Sequence, residues 1–587
     1  MFLLLVSSGA CAIAQDATDA ARQDSSTLRT TSRIVYVDVV VRDGRGKVVH
    51  GLPAGVFQVQ ENKQPQKIAL FSEHTSNSPR VEARAEAKAV GYTNVAPEAQ
   101  NSSLNMVLLD LLNTAPQDQG YARQRMIAFL KQLPPHRQVA LFVLGNRLRM
   151  VQGFTTDAAS LVAAANTLDI KQLNRVRAPG QEITDRDTAT YIDQSATAAG
   201  GLTAGQLLLQ AALQEDIQNM KVRLDVTNQA FQELARAVNG FPGRKNLFWL
   251  AGQFPSSTYY ELQTISTSVP LTVAPENPNG SRVDTAGQQR AFAGPAAASG
   301  LGLNLLSDRT GKTISDSQIA VYPVSLVGVQ TDAIGPEQTG LSGLADNGSA
   351  TRNTYFNERQ TGRAVMENIA DQTGGEAFYG NNDPKGMLDR GFEDSDNYYT
   401  LAYQPTDREW NGKFRAIRVA VNGSGYRLSY RKGYFALPDQ PVINVMQSFA
   451  QAMRIESPVS TMLVLRSGEP VTEANGSTVM PAALDVRGVG FALDPATNLR
   501  SAKLQLLVIA YPEEHGAPPV ESNNVLNLQL EQADYAHVLQ SGVPLPVPLK
   551  LPPGRYAVRI GVVDMGTGRI GTLTLPYVAK SASPGTQ

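Results

Sequence analysis

The sequence predicts an α/β domain that interrupts a β-domain and is followed by an all-β region. Residues 104–396 alternate short apolar runs with amphipathic helical stretches, which is typical of a mostly parallel sheet covered on both faces. Residues 33–74 and 397–436 show the period-two alternation of half-buried strands. Residues 442–580 are dense in short strands and turns. A chain of 587 residues is also too long for one core, so several domains are expected.

The two β segments that flank the α/β region are expected to form one domain. In the first segment, a valine occupies every second position of the opening strand: Val35, Val37, Val39 and Val41. Neither segment 33–74 nor the meander at 397–436 can bury both faces of a sheet alone, so we expect them to pair outside the α/β core. Residues 75–103 are polar and alanine-rich, a composition that predicts a linker.

The α/β region divides into repeated units. Its strands are expected at 105–110, 139–144, 246–250 and 319–324. Its helices are expected near 118–133, from Asp157 after a cap at Thr155 or Thr156, at about 204–239 and at 361–373. Two stretches interrupt the units, near 169–200 and near 256–318, and their polar and small residues predict partly ordered surface insertions.

The C-terminal region 442–580 is predicted to be an immunoglobulin-like β-sandwich. Two long apolar runs, 504–510 and 554–563, are followed by a glycine-containing turn at 564–568. This strand density, without helical periodicity, is typical of two packed antiparallel sheets.

The N-terminus predicts export. Residues 1–14 are apolar and end in a small-x-small pattern at Ala12 and Ala14, which predicts a signal peptide cleaved before Gln15. A buried N-terminal segment and lipid attachment at Cys11 are the alternatives. Cys11 is the only cysteine, so a mature chain would hold no disulfide or thiolate site. No other run is long enough for a transmembrane helix, and a periplasmic, cell-surface or extracellular location is expected.

Charge and motifs exclude several function classes. With 52 basic and 53 acidic residues the net charge is −1, which leaves no electrostatic footprint for nucleic acid. The five histidines are scattered, and no Gly-x-Ser-x-Gly elbow is present, so no enzyme is predicted. Residues 310–313 resemble a phosphate-binding loop, but Leu306 replaces its first glycine. Arg244 and Lys245 are expected to be solvated loop charges, with contact to an acidic partner as the alternative.

Short stretches within residues 33–436 resemble, in their order and spacing, the von Willebrand factor type A-related domain family of predicted secreted bacterial proteins. The most specific are 39–52, 110–114, 154–157, 242–247, 320–324, 373–375, 398–401 and 430–434. The resemblance implies a Rossmann-like A-type domain inserted in β structure, export, and a binding role. It names no ligand.

The resemblance also implies a metal-dependent adhesion site, of which this chain keeps part. Asp110 and Thr114 match the first loop of the family's site, and Asn113 adds a carbonyl oxygen in the same loop. Thr203 is the candidate from the second loop, offset by one position from the family pattern. Such oxygen ligands suit Mg²⁺.

Two parts of that metal site are replaced. Leu112 stands where the family has a serine, and Ala251-Gly252 stand where it has Thr-Asp. We therefore expect no cofactor, or Mg²⁺ bound only weakly, at an exposed sheet edge around Asp110. The alternative is that Asp110 is a carboxylate that stabilises its own loop.

The sequence thus predicts an exported, non-enzymatic binding or adhesion protein. Its A-type domain would contact a protein or glycan at the cell surface. The alternative is a structural or assembly component of the cell envelope, with the insertions near 169–200 and 256–318 making lateral contacts. A hydrolase is disfavoured because no nucleophile–base pair can be named.

Overall fold

A computed structural model describes residues 33–75, 92–95, 103–135, 137–169, 204–252, 254, 308–326, 362–380, 384–437, 445–469, 471–472, 478–514, 516–549 and 551–579. The chain begins with strands β1 (Val35–Arg42), β2 (Phe57–Glu61), β3 (Gln64–Gln66), β4 (Ile68–His74) and β5 (Tyr92–Thr93). Next come β6 (Leu104–Asp110), α1 (Pro116–Leu130), β7 (Gln138–Leu144), β8 (Leu148–Thr155), α2 (Ala158–Asn166), α3 (Ala204–Val238) and β9 (Lys245–Ala251). The α/β region ends with α4 (Asp308–Asp316), β10 (Ile319–Ser325), α5 (362–373) and α6 (Pro384–Asp396).

The remaining elements are mostly strands. The meander contains β11 (Tyr398–Tyr403), β12 (Phe414–Val421), β13 (Arg427–Ser429) and β14 (Gly433–Phe435). The C-terminal region contains α7 (Val445–Met453), β15 (Leu465–Ser467), β16 (Val471–Thr472), β17 (Thr478–Leu484), β18 (Ala492–Leu493), β19 (Arg500–Pro512), β20 (Val520–Leu530), α8 (Gln532–Ser541), β21 (Val543–Leu549), β22 (Gly554–Asp564) and β23 (Ile570–Ala579).

A five-stranded sheet forms the centre of the α/β region. Its order is β10-β9-β6-β7-β8, in which β6, β7, β9 and β10 are parallel and β8 is antiparallel to β7. Every residue of β6 and β9 is buried, as their continuous apolar runs predict. The winding direction reverses at β6, which creates a switch point between the carboxyl ends of β6 and β9, where open sheets of this class bind ligands.

Helices cover both faces of this sheet. On one face, α3 and α5 contribute Phe231 and Ile369 to a core with Leu108 of β6. On the other, α1 and α6 contribute Met126 and Phe392 to a core with Leu109 of the same strand. Alternate residues of β6 therefore anchor two separate cores. Burying each of these large side chains stabilises the fold by roughly 1.5–3 kcal/mol.

The two flanking β segments build a second domain from two sheets, β13-β1-β11-β4 and β14-β12-β2-β3. Strand β1 lies antiparallel to β11, with Val37 opposite Leu401, and β12 lies antiparallel to β2. The alternating valines of β1 enter one core with Tyr399, Leu401 and Tyr403. The α/β region is thus inserted between β4 and β11.

The C-terminal region contains two further sheets around one core. One runs β16-β17-β15-β5 with β21 beside β17, and the other runs β18-β19-β22-β23 with β20 beside β19. Leu465 and Leu484 from the first sheet share this core with Leu506 and Ile560 from the second. Helix α7 packs through Phe449 against the outer face of the second sheet.

The linker predicted at 75–103 is wrong for residues 92–95. Strand β5 pairs with β15, and the Asn94 side chain donates to the carbonyls of Ser460 and Leu463 at 2.9 and 2.8 Å. Its Oδ1 accepts the Leu465 amide at 2.8 Å. This segment therefore adds an edge strand to the C-terminal region.

Two local predictions in the α/β region also require correction. The predicted insertion 256–318 extends too far, because α4 lies in the core of the domain through Ile314. The same helix contains residues 310–313, so they do not form a phosphate-binding loop. Asp157, rather than Thr155 or Thr156, caps α2, since its carboxylate accepts the amides of Ala159 and Ser160.

Several predicted features lie outside the described residues. They are the signal peptide at 1–14, all but one residue of the insertion near 169–200, and the insertion near 256–318 apart from residues 308–318. Among the helices that the structure does describe, none combines the length and apolar character needed to cross a membrane.

Candidate functional site

Asp110 lies at the carboxyl end of β6, at the switch point of the central sheet. It is in register with Leu144 of β7 and Ala251 of β9. The predicted exposure of this residue is wrong, since its side chain is fully buried. The reason lies in the loop that follows: residues 111–115 are all buried, and its first two amides donate to the Leu144 carbonyl. This loop folds back over the sheet edge and covers the carboxylate.

Three N–H groups hold the Asp110 carboxylate. The Asn113 amide donates to Oδ1 at 2.9 Å, and Asn113 Nδ2 donates to Oδ2 at 2.8 Å. The indole Nε1 of Trp249, on β9, donates to Oδ2 at 2.9 Å. Asn113 Nδ2 also donates to Thr227 Oγ1 at 3.1 Å, which ties the loop to α3. Both carboxylate oxygens therefore have neutral donors within the protein.

The Thr114 hydroxyl closes the same loop. It donates to the Asp110 carbonyl and accepts the Gly252 amide at 2.9 Å. A Cβ at Gly252 would lie only 3.0 Å from Thr114 Cγ2, so glycine allows this close approach. Ala251-Gly252, which replace the family's Thr-Asp, thus bring the backbone onto Thr114 and use its hydroxyl.

Burial sets the protonation of Asp110. Removal from water raises the pKa of its carboxyl to about 6, and the hydrogen bonds from Asn113 and Trp249 limit that rise. The carboxylate is consequently charged at neutral pH, and neutral N–H groups stabilise it.

The residues present do not fit a Mg²⁺ ion. Asp110, Asn113 and Thr114 come together as predicted, but N–H donors occupy the positions from which a cation would be bound. A cation would have to displace them in exchange for about one formal negative charge. Thr203 lies outside the described residues, and within those residues no three His, Cys, Asp or Glu side chains are grouped for a metal. The geometry instead matches the alternative of a loop-stabilising carboxylate.

A second polar cluster, which the sequence analysis missed, joins the β-domain to the α/β domain. Arg42 of β1 donates to Asp394 Oδ1 at 2.5 Å and to Glu393 Oε2 at 2.7 Å. The Tyr322 hydroxyl donates to Asp394 Oδ2 at 3.2 Å and accepts from Arg244 Nη2 at 2.9 Å. A continuous chain of charged and hydroxyl groups therefore crosses the domain boundary.

The prediction that Arg244 and Lys245 are solvated is wrong. Their side chains are only 3% and 2% exposed. Arg244 Nη2 donates to the Gly374 carbonyl at 2.7 Å, and Lys245 Nζ donates to the Ser317 carbonyl at 3.0 Å. The signal available in the sequence was their position at the start of a fully buried strand, with Arg244 directly before it and Lys245 as its first residue.

Comparison with known proteins gives structural neighbours alone, since neither a family model nor a curated protein matches the chain. An aerotolerance-related membrane protein from Bacteroides fragilis aligns at 10% identity and a TM-score of 0.22, over 50% of this chain and 98% of its own. A von Willebrand factor type A protein from Catenulispora acidiphila aligns at 8% identity and a TM-score of 0.19, over 94% of this chain and 75% of its own. The ArnB paralog VWA2 from Sulfolobus acidocaldarius aligns at 7% identity and a TM-score of 0.17, over 93% of this chain and 75% of its own.

These alignments all have TM-scores of 0.22 or lower, so they support no conclusion about this chain. Its doubly wound central sheet, with one antiparallel edge strand, agrees with the resemblance predicted from the sequence. We refer to the α/β region as the A-type domain. No ligand, partner or activity is transferred to this chain from the structural neighbours.

Proposed function

We propose that the protein is an exported, non-enzymatic binding protein whose A-type domain contacts a protein or glycan at the cell surface. The closed set of hydrogen bonds around Asp110 carries this proposal. Because Asp110, Asn113 and Thr114 are satisfied within the protein, the described residues of the switch point offer neither an open metal position nor an activated nucleophile. Binding at this edge would then depend on shape and on exposed side chains, without a metal.

The first turns of α1 supply exposed side chains beside that edge. Gln117 and Asp118 are exposed, and the Tyr121 ring is 45% exposed. The Arg125 guanidinium lies 5.9 Å from the Tyr121 ring centroid, an arrangement that favours one position of the ring. Tyrosines with an apolar ring and a polar tip are frequent anchors of binding surfaces, and we propose that Tyr121 has this role.

The two β regions would serve as spacers that hold the A-type domain away from the envelope. We interpret the two C-terminal sheets as an immunoglobulin-like sandwich, on the basis of their shared core. Thr461 supports a fixed arrangement of the C-terminal region and the A-type domain. Its hydroxyl donates to the Ala237 carbonyl at 2.9 Å and accepts the Gly240 amide at 2.9 Å. These bonds attach the C-terminal region to the end of α3.

Partner capture tests the proposal. The full chain, immobilised through its C-terminus, is exposed to envelope extracts and to a glycan array in the presence of EDTA. We expect one discrete partner that is retained in EDTA, lost with Tyr121→Ala and kept with Tyr426→Ala. Tyr426 is a matched control because it is an exposed tyrosine of the β-domain. Capture that requires Mg²⁺ or ignores Tyr121→Ala, or hydrolysis of a broad ester and peptide panel, would overturn the proposal.

Export and the alternative role have separate tests. N-terminal sequencing of exported protein is expected to begin near Gln15, and material that retains Met1 or carries lipid on Cys11 would contradict the signal peptide. For a structural role in the envelope, sedimentation would show concentration-dependent self-association and no discrete partner would be captured.

A further inference from the structure

A small cavity lies between the β-domain and the A-type domain, at the end of the central sheet opposite Asp110. Its volume is about 20 Å³, room for one water molecule or a small ion. Strand β1 forms one wall, and the amino end of β10 with the ends of α4 and α5 forms the other. The lining includes Tyr36, Asp38, Arg244, Gln318 and Arg431.

Two arginines line this cavity with N–H groups that lack an acceptor. Arg244 Nε and Arg431 Nε are both buried and have no hydrogen-bond partner among the described residues. Arg244 comes from the A-type domain and uses Nη2 for Tyr322 and Gly374. Arg431 comes from the β-domain. A buried N–H without an acceptor destabilises the folded state, more so when the group is charged, so an occupant that accepts from both arginines would stabilise it.

The lining of the cavity contains one more cationic group than carboxylates. Asp38 is the only carboxylate in the lining, and it accepts from Thr400 Oγ1 at 2.8 Å and from Gln318 Nε2 at 3.4 Å. Two guanidinium groups therefore face one carboxylate within the lining. Outside the lining, Asp316 interacts with Arg431 and Asp394 interacts with Arg244. Burial lowers the pKa of Arg431, and the nearby tyrosines and aspartates do not cancel that effect.

We propose that this cavity binds a small monovalent anion the size of chloride, which accepts hydrogen bonds from Arg244 and Arg431. One negative charge balances the excess of one cation over the carboxylate in the lining. The small volume favours an anion of this size over larger ones such as sulfate. Because Arg431 and Arg244 belong to different domains, the anion joins the β-domain to the A-type domain, and the site is independent of the switch point.

Thermal unfolding of the full chain tests the site in solution. At equal ionic strength, sodium chloride is compared with sodium gluconate, whose anion is too large for the cavity. We expect chloride to raise Tm by about 2 °C or more, with saturation as its concentration increases. Arg431→Gln is expected to abolish the difference between the two salts. The matched control is Arg390→Gln, at an exposed arginine that pairs with Glu376, and it should keep the difference.

Crystals of the wild-type chain soaked in bromide give a direct readout that does not depend on any variant folding. An anomalous peak between Arg244 and Arg431 would support the proposal. A featureless cavity or an ordered water in bromide would overturn it, and so would equal Tm values for the wild-type protein in chloride and gluconate.

Discussion

Trp249 Nε1 donates a hydrogen bond to Asp110 Oδ2 at 2.9 Å, and this bond joins β9 to β6 at the switch point of the central sheet. The indole is held edge-on against Phe231 and Phe254, with ring centroids 5.0 and 4.7 Å apart. Packing therefore fixes the direction of the donor. The position at which an A-type site would hold a cation contains an N–H group directed at the carboxylate.

Trp249→Phe is expected to destabilise the protein more at neutral than at acidic pH. The variant removes a hydrogen bond to a charged carboxylate, worth about 1.5–3 kcal/mol, while an aromatic ring remains in the core. At about pH 4.5 most Asp110 side chains are protonated in the folded state, so the loss should be smaller. Urea unfolding at both pH values measures the effect. Phe231→Leu changes the packing of the same indole without touching the bond, and its cost should not vary with pH.

Asp110 should make stability fall as pH rises from about 4 to about 6. Burial raises the folded pKa to about 6, above the usual value of 3.8, so the folded state binds more protons within that window. The contribution of Asp110 to the unfolding free energy is complete at pH values below its pKa in the unfolded state, and it is lost as pH rises through its pKa in the folded state. A shift of this size corresponds to about 3 kcal/mol. The unfolding free energy of wild type minus that of Asp110→Ala should follow this fall.

Asp157 provides a control of opposite sign for that experiment. Hydrogen bonds from Ser160 and the Ala159 amide lower the pKa of its carboxyl. Its contribution is therefore present above the unfolded pKa and is lost as pH falls through the folded value. The difference in unfolding free energy between wild type and each variant is plotted against pH. Equal slopes for Asp110→Ala and Asp157→Ala would contradict the role of burial at Asp110.

Divalent cations should not bind at the switch point with micromolar affinity. The oxygens of Asp110 and the hydroxyl of Thr114 already have internal partners, so Mg²⁺ would lose water without gaining enough charge. Calorimetric titration of the full chain with Mg²⁺ and Mn²⁺ is expected to give heats equal to those of Asp110→Ala. Micromolar binding that disappears in Asp110→Ala and in Thr203→Ala would show that a divalent cation does bind at the switch point.

The sequence predicts features that depend on neighbouring residues better than features that depend on distant ones. A local pattern is visible in the apolar runs of β6 and β9 and in the alternating valines of β1. The structure has strands at all three places. The burial of Arg244 depends on Tyr322 and Gly374, which lie 78 and 130 positions away. No single sequence displays such partners, so a basic residue before a strand is interpreted as solvated.

The same limit explains the errors at Asp110 and at 92–95. Local pattern places Asp110 at a strand end, but the loop that buries it is attached to Leu144, and its partner Trp249 lies 139 positions away. Strand β5 has only two residues, and its partner β15 lies in the C-terminal region. A two-residue strand carries too little periodicity to distinguish it from a linker.

Arg42→Met should destabilise the contact between the two domains strongly. Arg42 and Asp394 are both buried, and removing the cation takes from the Asp394 carboxylate its charged hydrogen-bond donor while the Tyr322 hydroxyl remains. Breaking such a pair costs about 3–5 kcal/mol. Arg390→Met is the matched control, because the Arg390–Glu376 pair is largely exposed and should contribute at most about 1 kcal/mol. Chemical unfolding of both variants measures the loss in unfolding free energy. Equal losses for Arg42→Met and Arg390→Met would contradict the prediction.

Lys245→Met should change the pH dependence of stability on the alkaline side. Burial lowers the pKa of Lys245 to about 8 from the usual 10.5, so the unfolded state binds more protons between these values. The cost of the buried ammonium is complete below about pH 8, and the contribution of Lys245 to stability increases as pH rises to about 10.5. Methionine removes a cost of about 3 kcal/mol, less the lost bond to the Ser317 carbonyl.

The unfolding free energy of Lys245→Met minus that of wild type should therefore be most positive below about pH 8 and should decrease toward pH 10.5. Taking the difference cancels the titration of groups common to both proteins, including the buried tyrosines Tyr322 and Tyr398, whose pKa values are raised by burial. Lys67→Met, at an exposed lysine, is the matched control for the substitution of lysine by methionine itself. A difference for Lys245→Met that stays constant with pH would show that its ammonium keeps its ordinary pKa despite lying in the core.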